Sequence, residues 1–439
     1  MKRARDSRGE KDIISSLSDH LIHLIMSFLT AQEAVRTCIL SKRWKNLWTT
    51  LPFLDFDLSK FEYEGEFYDS EPEFGEPEPQ INKCMRFRDF VSTTLLLRQA
   101  SELHTFRLSC REMSSSPMYN IFVRSCILYA VKHSPQVLNI NFSIDCPLSL
   151  GIFTCGSLVD VSLYCRTSVH KIKAIKLPCL RRLYLKETYI NQDFIDKLFS
   201  GSPVLEFLHL ENCGTEFSTL NSQSLKYLEI QCYCWVDTTD KRMELINTPN
   251  LLSFCYSICP YAMGHNMHLQ MQNLTSASIN SYLPYNFRSN ILIGVSNVQN
   301  LNLSGEEIKA LLENELSNCP EFSNLKDLSV DGLCLICHSN LLAYFLNHCP
   351  NLEELSLHHR DCFSPEKVHG NVELLKITPF KGKRLEKVEV KFVGAGKNFT
   401  RVVKYLQDIT EESGAQINVT SLYDSYRGMD ILEQDWQHV

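Results

Sequence analysis

No stretch of this chain approaches eighteen uninterrupted apolar residues, so none reads as a membrane span. The opening MKRARDSRGEKD is too polar for a secretory leader. Basic residues are not in excess: 44 Lys and Arg stand against 51 Asp and Glu, a net charge of −7, which disfavours general nucleic-acid binding. Catalytic signatures are missing as well, with no phosphate loop, GxGxxG, HExxH or GxSxG. What remains is a chain of 439 residues, 44% hydrophobic and 22% charged. That length exceeds a single compact core and allows two or three folded domains.

The missing leader decides how the 18 cysteines are read. In a cytosolic or nuclear chain they are expected to be reduced, small and buried, as at the apolar-periodic positions Cys179 and Cys213. The sequons at Asn141, Asn273, Asn302, Asn398 and Asn418 then carry no glycan. CLICH, Cys334 to His338, matches a haem-attachment spacing, and Cys334, Cys337, His338 and Cys349 could be grouped as a zinc set. Without a second matched pair these read as core positions. Neither metal nor cofactor is expected, and no spacing sets a base against a nucleophile.

Residues 13–51 read as three short helices. Ser18 can cap the first, whose apolar stripe is Leu21, Ile25, Phe28 and Leu29. Thr30 and Glu33 have capping-box spacing at the start of the second, where Val35, Cys38 and Ile39 follow. Ser41 can cap the third, with Trp44, Leu47 and Trp48 at i, i+3 and i+4, and Pro52 ends it. So few residues cannot bury that much apolar surface among themselves. The segment either packs on the rest of the chain or docks another protein.

The stretch ISSLSDHLIHLIMSFLTAQEAVRTCILSKRWKNLWTTLPFLDFD resembles the F-box of plant F-box proteins. The resemblance implies binding to the Skp-type adaptor of a cullin-based (SCF) ubiquitin ligase. Carried over by position, Leu17, Leu21, Ile25, Leu29, Leu40, Trp44, Leu47 and Trp48 include the adaptor contacts and their supporting core. Where the family usually has Leu-Pro, this chain has Leu17-Ser18; a serine cap replaces a preset proline turn.

Residues 61–82 hold eight acidic residues, three prolines and no Lys or Arg, and read as an extended, protease-sensitive linker. Beyond it the triplet apolar-x-x-apolar-x-apolar recurs twelve times. It opens with Leu103/Phe106/Leu108 and Val137/Ile140/Phe142, and closes with Leu352/Leu355/Leu357 and Leu385/Val388/Val390. From the second to the eleventh, spacings run from 20 to 27 residues, the length of leucine-rich repeats. Pro135, Pro178, Pro203, Pro249 and Pro350 fall two residues before a first anchor. Segments 191–201 and 339–349 read as convex helices.

Side chains alternate along each strand, so residues beside the anchors face solvent on the concave side. The candidate target-binding residues are Arg182, Tyr184, Phe207, His209, Tyr227, Glu229, Asp327, Glu354 and His358. Replacing such outward residues is expected to leave stability nearly unchanged. The tail from 381 resembles, more loosely, the C-terminal FBD-like region of plant F-box/leucine-rich-repeat proteins.

The expected fold class is α+β: a three-helix F-box (13–58), an acidic linker (59–85), an α/β leucine-rich-repeat solenoid (86–380) and a strand-helix-strand cap (381–439), after a basic tail (1–12). KRAR at 2–5 suggests nuclear entry, so the expected location is nucleus and/or cytoplasm. The expected function is substrate recognition within an SCF ligase, without catalysis. The expected partners are a Skp-type adaptor, through it a cullin, and an unknown target protein, with no direct nucleic-acid or membrane contact. A repeat scaffold or inhibitor outside any ligase is the alternative.

Overall fold

The computed structural model describes residues 16–62, 78–113, 117–142, 151–169, 172–231, 244–258, 267–281, 290–305, 308–315, 318–335, 338–359, 384–392, 406–407, 410 and 413–421. The basic tail 1–12 lies outside them. The chain divides into two compact units, 1–183 and 184–439.

The first unit begins with helix Asp19–Met26, whose Leu21 N–H donates to the Ser18 hydroxyl at 3.3 Å. Helix Ala31–Arg36 carries the full capping box: the Thr30 N–H donates to Glu33 Oε2 at 2.7 Å, and the Glu33 N–H to the Thr30 hydroxyl at 3.3 Å. The third helix is a single turn, Trp44–Leu47, entered where the Trp44 N–H donates to the Ser41 hydroxyl at 3.4 Å. Ile22, Met26, Ala34, Trp44 and Leu51 form the core, with Leu17, Leu29, Leu47, Trp48 and Phe53 packed against it. The inner face of the first helix is therefore Ile22 and Met26. Of the expected stripe, Leu21, Ile25 and Phe28 point to solvent.

The solenoid starts earlier than expected. Strand Phe53–Asp57 pairs in parallel with Thr105–Ser109, setting Leu54 beside Phe106 and Phe56 beside Leu108. Leu51, Leu54 and Phe56 are all buried, so they are the anchors of a first repeat that lies inside the F-box motif itself. The linker boundary at 85 is also corrected: helix Glu78–Leu97 occupies its last part. Phe61 packs edge-on to Phe87 at 5.4 Å, and the Glu62 N–H donates to Gln32 at 2.9 Å. The rest of the supposed linker, 63–77, lies outside the described residues.

Arg98 joins these parts. Nearly buried, it donates through Nε and Nη2 to the Leu51 carbonyl at 3.3 and 3.2 Å, through Nη1 to Ala100 O at 2.7 Å, and also to Glu102 O. The next N–H, of Gln99, donates to Thr49 O at 2.8 Å. The F-box is thus tied to the first repeat by a sheet rung and a buried guanidinium. Arg98→Met leaves those carbonyls without donors and is expected to cost about 2–4 kcal/mol, read as a lower urea midpoint.

Strands Val137–Asn141 and Asp160–Ser168 extend the parallel sheet. Their register corrects one triplet. Leu138 pairs with Phe106 and Ile140 with Leu108, so the anchors are Pro135, Leu138 and Ile140, and Val137 is only half-buried. Pro135 is itself a first anchor; the two-residue proline offset belongs to the other four repeats.

In the second unit parallel strands follow one another from Phe207–Glu211 to Gln416–Ser421. The expected anchors of these repeats are buried, except that Tyr256 is half-buried. Helix Gln192–Gly201, capped by Asn191, and helix Ser339–Leu346 are the convex helices anticipated. Between them the convex side carries three short parallel strands instead, 219–221, 245–247 and 268–270. The buried carboxylate of Glu315 accepts the N–H groups of Ile291 and Leu292 at 3.2 and 2.8 Å and so caps the start of the turn Ile291–Gly294. Gly305 sits at φ +112°, where a Cβ would meet the Ser281 carbonyl at 2.2 Å.

The tail adds a further parallel rung: Gln416–Ser421 pairs with Lys387–Phe392, Val388 beside Ile417. Residues 406–407 between them are helical, and most of the cap's expected helix lies outside the described residues. Among the described residues no helix is long and apolar enough to cross a membrane.

Candidate functional site

Two surfaces stand out, one in each unit. The F-box exposes apolar side chains that its own core does not use. Leu21, Leu24 and Ile25 line one face of the first helix at i, i+3 and i+4, Phe28 stands on the turn that follows it, and Ile39 and Leu40 on the turn after the second helix. Phe28 and Ile39 are 84% and 85% exposed. Isolated apolar residues on a surface are ordinary, but six on so small a bundle make it a candidate docking surface.

The eight residues expected at this site separate accordingly. Leu21, Ile25 and Leu40 are exposed. Leu17, Leu29, Leu47 and Trp48 are half-buried against the core. Trp44 is 4% exposed and is core, so it has no surface to offer a partner. Leu24, Phe28 and Ile39 were not in the expected set. The signal was present in the apolar periodicity, which does not say which of two stripes faces in. The basic surround is partly spent internally, since Arg43 Nε donates to Asp19 at 3.0 Å.

The concave strip of the second unit brings together five of the expected target-binding residues. The Tyr184 ring lies 4.3 Å from that of His209; Phe207 is 6.3 Å from both His209 and Tyr227. The Tyr184 hydroxyl donates to Glu211, Lys186 Nζ bridges Glu211 at 2.6 Å, and His209 Nδ1 meets Glu229 at 2.8 Å. His209 is only 9% exposed. Tyr184 and His209 are therefore members of a packed network, and the expectation that outward residues here carry no structural burden is corrected for them.

Asp327 lies elsewhere on the strip, four strands beyond the Tyr227 strand, and Glu354 and His358 lie five beyond. Lys387 Nζ bridges Glu354 at 3.4 Å, and His358 meets Asp331 at 3.6 Å. Burial and the neighbouring Glu354 push the Asp327 carboxyl above its usual range, against the pull of Lys387. Arg182 falls in the first unit, where it pairs with Asp160 at 2.8 Å.

Burial raises the Glu211 pKa, but hydrogen bonds from Lys186 and Tyr184, with the Lys186 charge, outweigh it and hold the carboxyl below its ordinary value. A carboxyl lowered on folding adds stability that is complete above its unfolded pKa and is lost as pH falls through the folded one. Glu211→Gln is therefore expected to be less stable than the parent at neutral pH and to converge with it in acid. Urea midpoints across that range check this.

Every described cysteine is a free thiol. Burial pushes Cys213 up to about 12, whereas Cys179 is exposed, contrary to the expectation for it. Cys334 and Cys349 are buried and Cys337 lies outside the described residues. No group of three His, Cys, Asp or Glu able to hold a metal occurs among the described residues.

Comparison with known proteins agrees with both surfaces' architecture. Residues 14–56 match the F-box domain, and residues 123–283 match the repeats described as "FBD-associated F-box protein At5g56370, LRR repeats". An Arabidopsis thaliana F-box/LRR-repeat protein is 28% identical over 354 residues, 78% of this chain and 64% of that protein. The chain thus spans just under two thirds of that relative's length. The Arabidopsis F-box/FBD/LRR-repeat protein At5g22660 is 27% identical over 379 residues, 80% of this chain and 77% of the relative. The F-box/LRR-repeat protein At4g14103 of the same plant is 26% identical over 373 residues, covering 80% and 92% respectively. The chain carries an F-box and an FBD-associated leucine-rich-repeat region, and its relatives are Arabidopsis F-box/FBD/LRR-repeat proteins.

Proposed function

We propose that this chain is the substrate-recognition subunit of an SCF ubiquitin ligase. The F-box binds a Skp-type adaptor and through it a cullin, and the repeats hold a target protein for ubiquitination and degradation. The observation that carries this reading is the set of exposed apolar side chains, Leu21, Leu24, Ile25, Phe28, Ile39 and Leu40, on an F-box whose core is otherwise closed. F-box domains generally bind Skp1-type adaptors, and F-box/LRR proteins are generally non-catalytic. The mechanism is effective concentration: the target is kept near a charged ubiquitin donor, and this chain makes no bond itself. The tie between the F-box and the first repeat, through the Phe53–Asp57 rung and Arg98, supports a fixed spacing at that end. We place the protein in the nucleus and/or cytoplasm; a reporter fused to residues 1–12 that stays evenly spread would count against nuclear entry through KRAR.

The test is expression of the tagged full chain beside a variant carrying Phe28→Asp and Ile39→Asp. Proteins captured by both should be ubiquitinated with the parent and accumulate unmodified with the variant. A scaffold outside any ligase would give equal levels and no difference in ubiquitination.

A further inference from the structure

Three successive strands of the second unit set rings side by side on the concave strip: Tyr184, then Phe207 and His209, then Tyr227. Most polar groups among them are committed. Glu211 is taken by Tyr184 and Lys186, and Lys226 is bridged to Glu206 at 3.0 Å. What remains is a corner formed by Phe207, Tyr227 and Glu229. Phe207 and Tyr227 are register partners, with ring planes at 41°, and Tyr227 is 44% exposed. Glu229 follows Tyr227 by two residues and shares its face of the strand.

The printed ion pair of Glu229 is with His209, on Oε2, and among the described residues no Lys or Arg pairs with it. His209 itself has no other hydrogen bond: its Nε2 is buried without a partner among the described residues. The Glu229 side chain is 34% exposed, its Oε1 is free of a partner among the described residues, and the strand register sets it on the face that carries Phe207 and Tyr227. A carboxylate next to exposed rings is complementary to a cation, which gains from the ring quadrupole as well as from the charge. A guanidinium suits it better than an ammonium, because a planar group can lie on a ring and still donate in its own plane.

We propose that the Phe207/Tyr227/Glu229 corner is a subsite for an arginine side chain of the bound target, stacked on the rings and donating to Glu229. This rests on the receptor reading only for calling the partner a target; the arginine preference is a property of the surface. The full chain, co-expressed with adaptor, is probed with arrayed peptides centred on arginine and with their citrulline twins, which keep the shape and lose the charge. The expected result is a subset of arginine peptides retained roughly tenfold better than their twins. That preference should vanish in Glu229→Gln and fall in Tyr227→Leu, each shown by a cooperative melt to be folded at the assay temperature, and persist in the remote control Glu353→Gln. No preference for arginine over citrulline, or a preference that survives Glu229→Gln, overturns the proposal. Adaptor capture is scored on the same samples. Its loss with arginine preference intact would sink the ligase reading alone; the reverse would sink this subsite alone.

Discussion

Trp44→Ala is expected to unfold the F-box. The side chain sits at the centre of a core of five buried residues, Ile22, Met26, Ala34, Trp44 and Leu51. Removing a buried tryptophan of this kind costs about 3–5 kcal/mol, and a bundle this small has little surplus. The effect should spread, because Leu51 belongs both to this core and, through its carbonyl on Arg98, to the start of the solenoid. Hydrogen exchange should therefore show lost protection in Phe53–Asp57 as well as in the helices. Retained protection throughout 16–57 would show that Trp44 is not the keystone described. Adaptor capture would fall in this variant too, but through folding, so it cannot serve as the interface test.

The interface test is the opposite kind of change. Phe28→Asp with Ile39→Asp alters the two most exposed large apolar side chains among the described residues. Stability should stay within about 0.5 kcal/mol of the parent. Burying charge at an interface that expects apolar anchors should nonetheless cost at least about 2 kcal/mol of adaptor binding, roughly thirtyfold in affinity. Circular dichroism melting and a binding isotherm on the same preparation separate the two effects. A variant that melts early has not tested the face, and Phe28→Ser with Ile39→Ser then takes its place.

The repeat was largely legible because each unit carries a spacing of apolar residues and a strand period, and four of them also a proline two residues before the first anchor. It failed at two places for physical reasons. At 135–142, PQVLNINF alternates apolar residues in a way that fits two registers, and only pairing with Thr105–Ser109 decides for Leu138 and Ile140. At 51–56 the anchors were masked by another motif; Leu51, Leu54 and Phe56 finish the F-box and start the sheet with the same atoms. An excursion of 46 residues, from Leu58 to Leu103, then hides the period. The convex strands at 219–221, 245–247 and 268–270 could not be read because three-residue strands leave no periodicity.

The docking face was half legible. Helical spacing placed Leu21, Ile25 and Phe28 on one stripe, but the same helix has a second, Ile22 and Met26, and only the packing of Trp44 and Leu51 shows which is inside. The concave cluster was readable as a set of outward positions, since strand alternation fixes those. Its internal bonding was not, because whether Tyr184 reaches Glu211 depends on how neighbouring repeats stack, which spacing alone does not state.

Titration of a purified Skp-type adaptor into the purified full chain addresses the central claim directly. Saturable one-to-one binding is predicted for the parent and for Tyr227→Leu on the concave strip, and loss of that binding is predicted for Phe28→Asp/Ile39→Asp at an unchanged melting temperature. A folded parent that does not bind, or a folded double variant that binds as well as the parent, would contradict it.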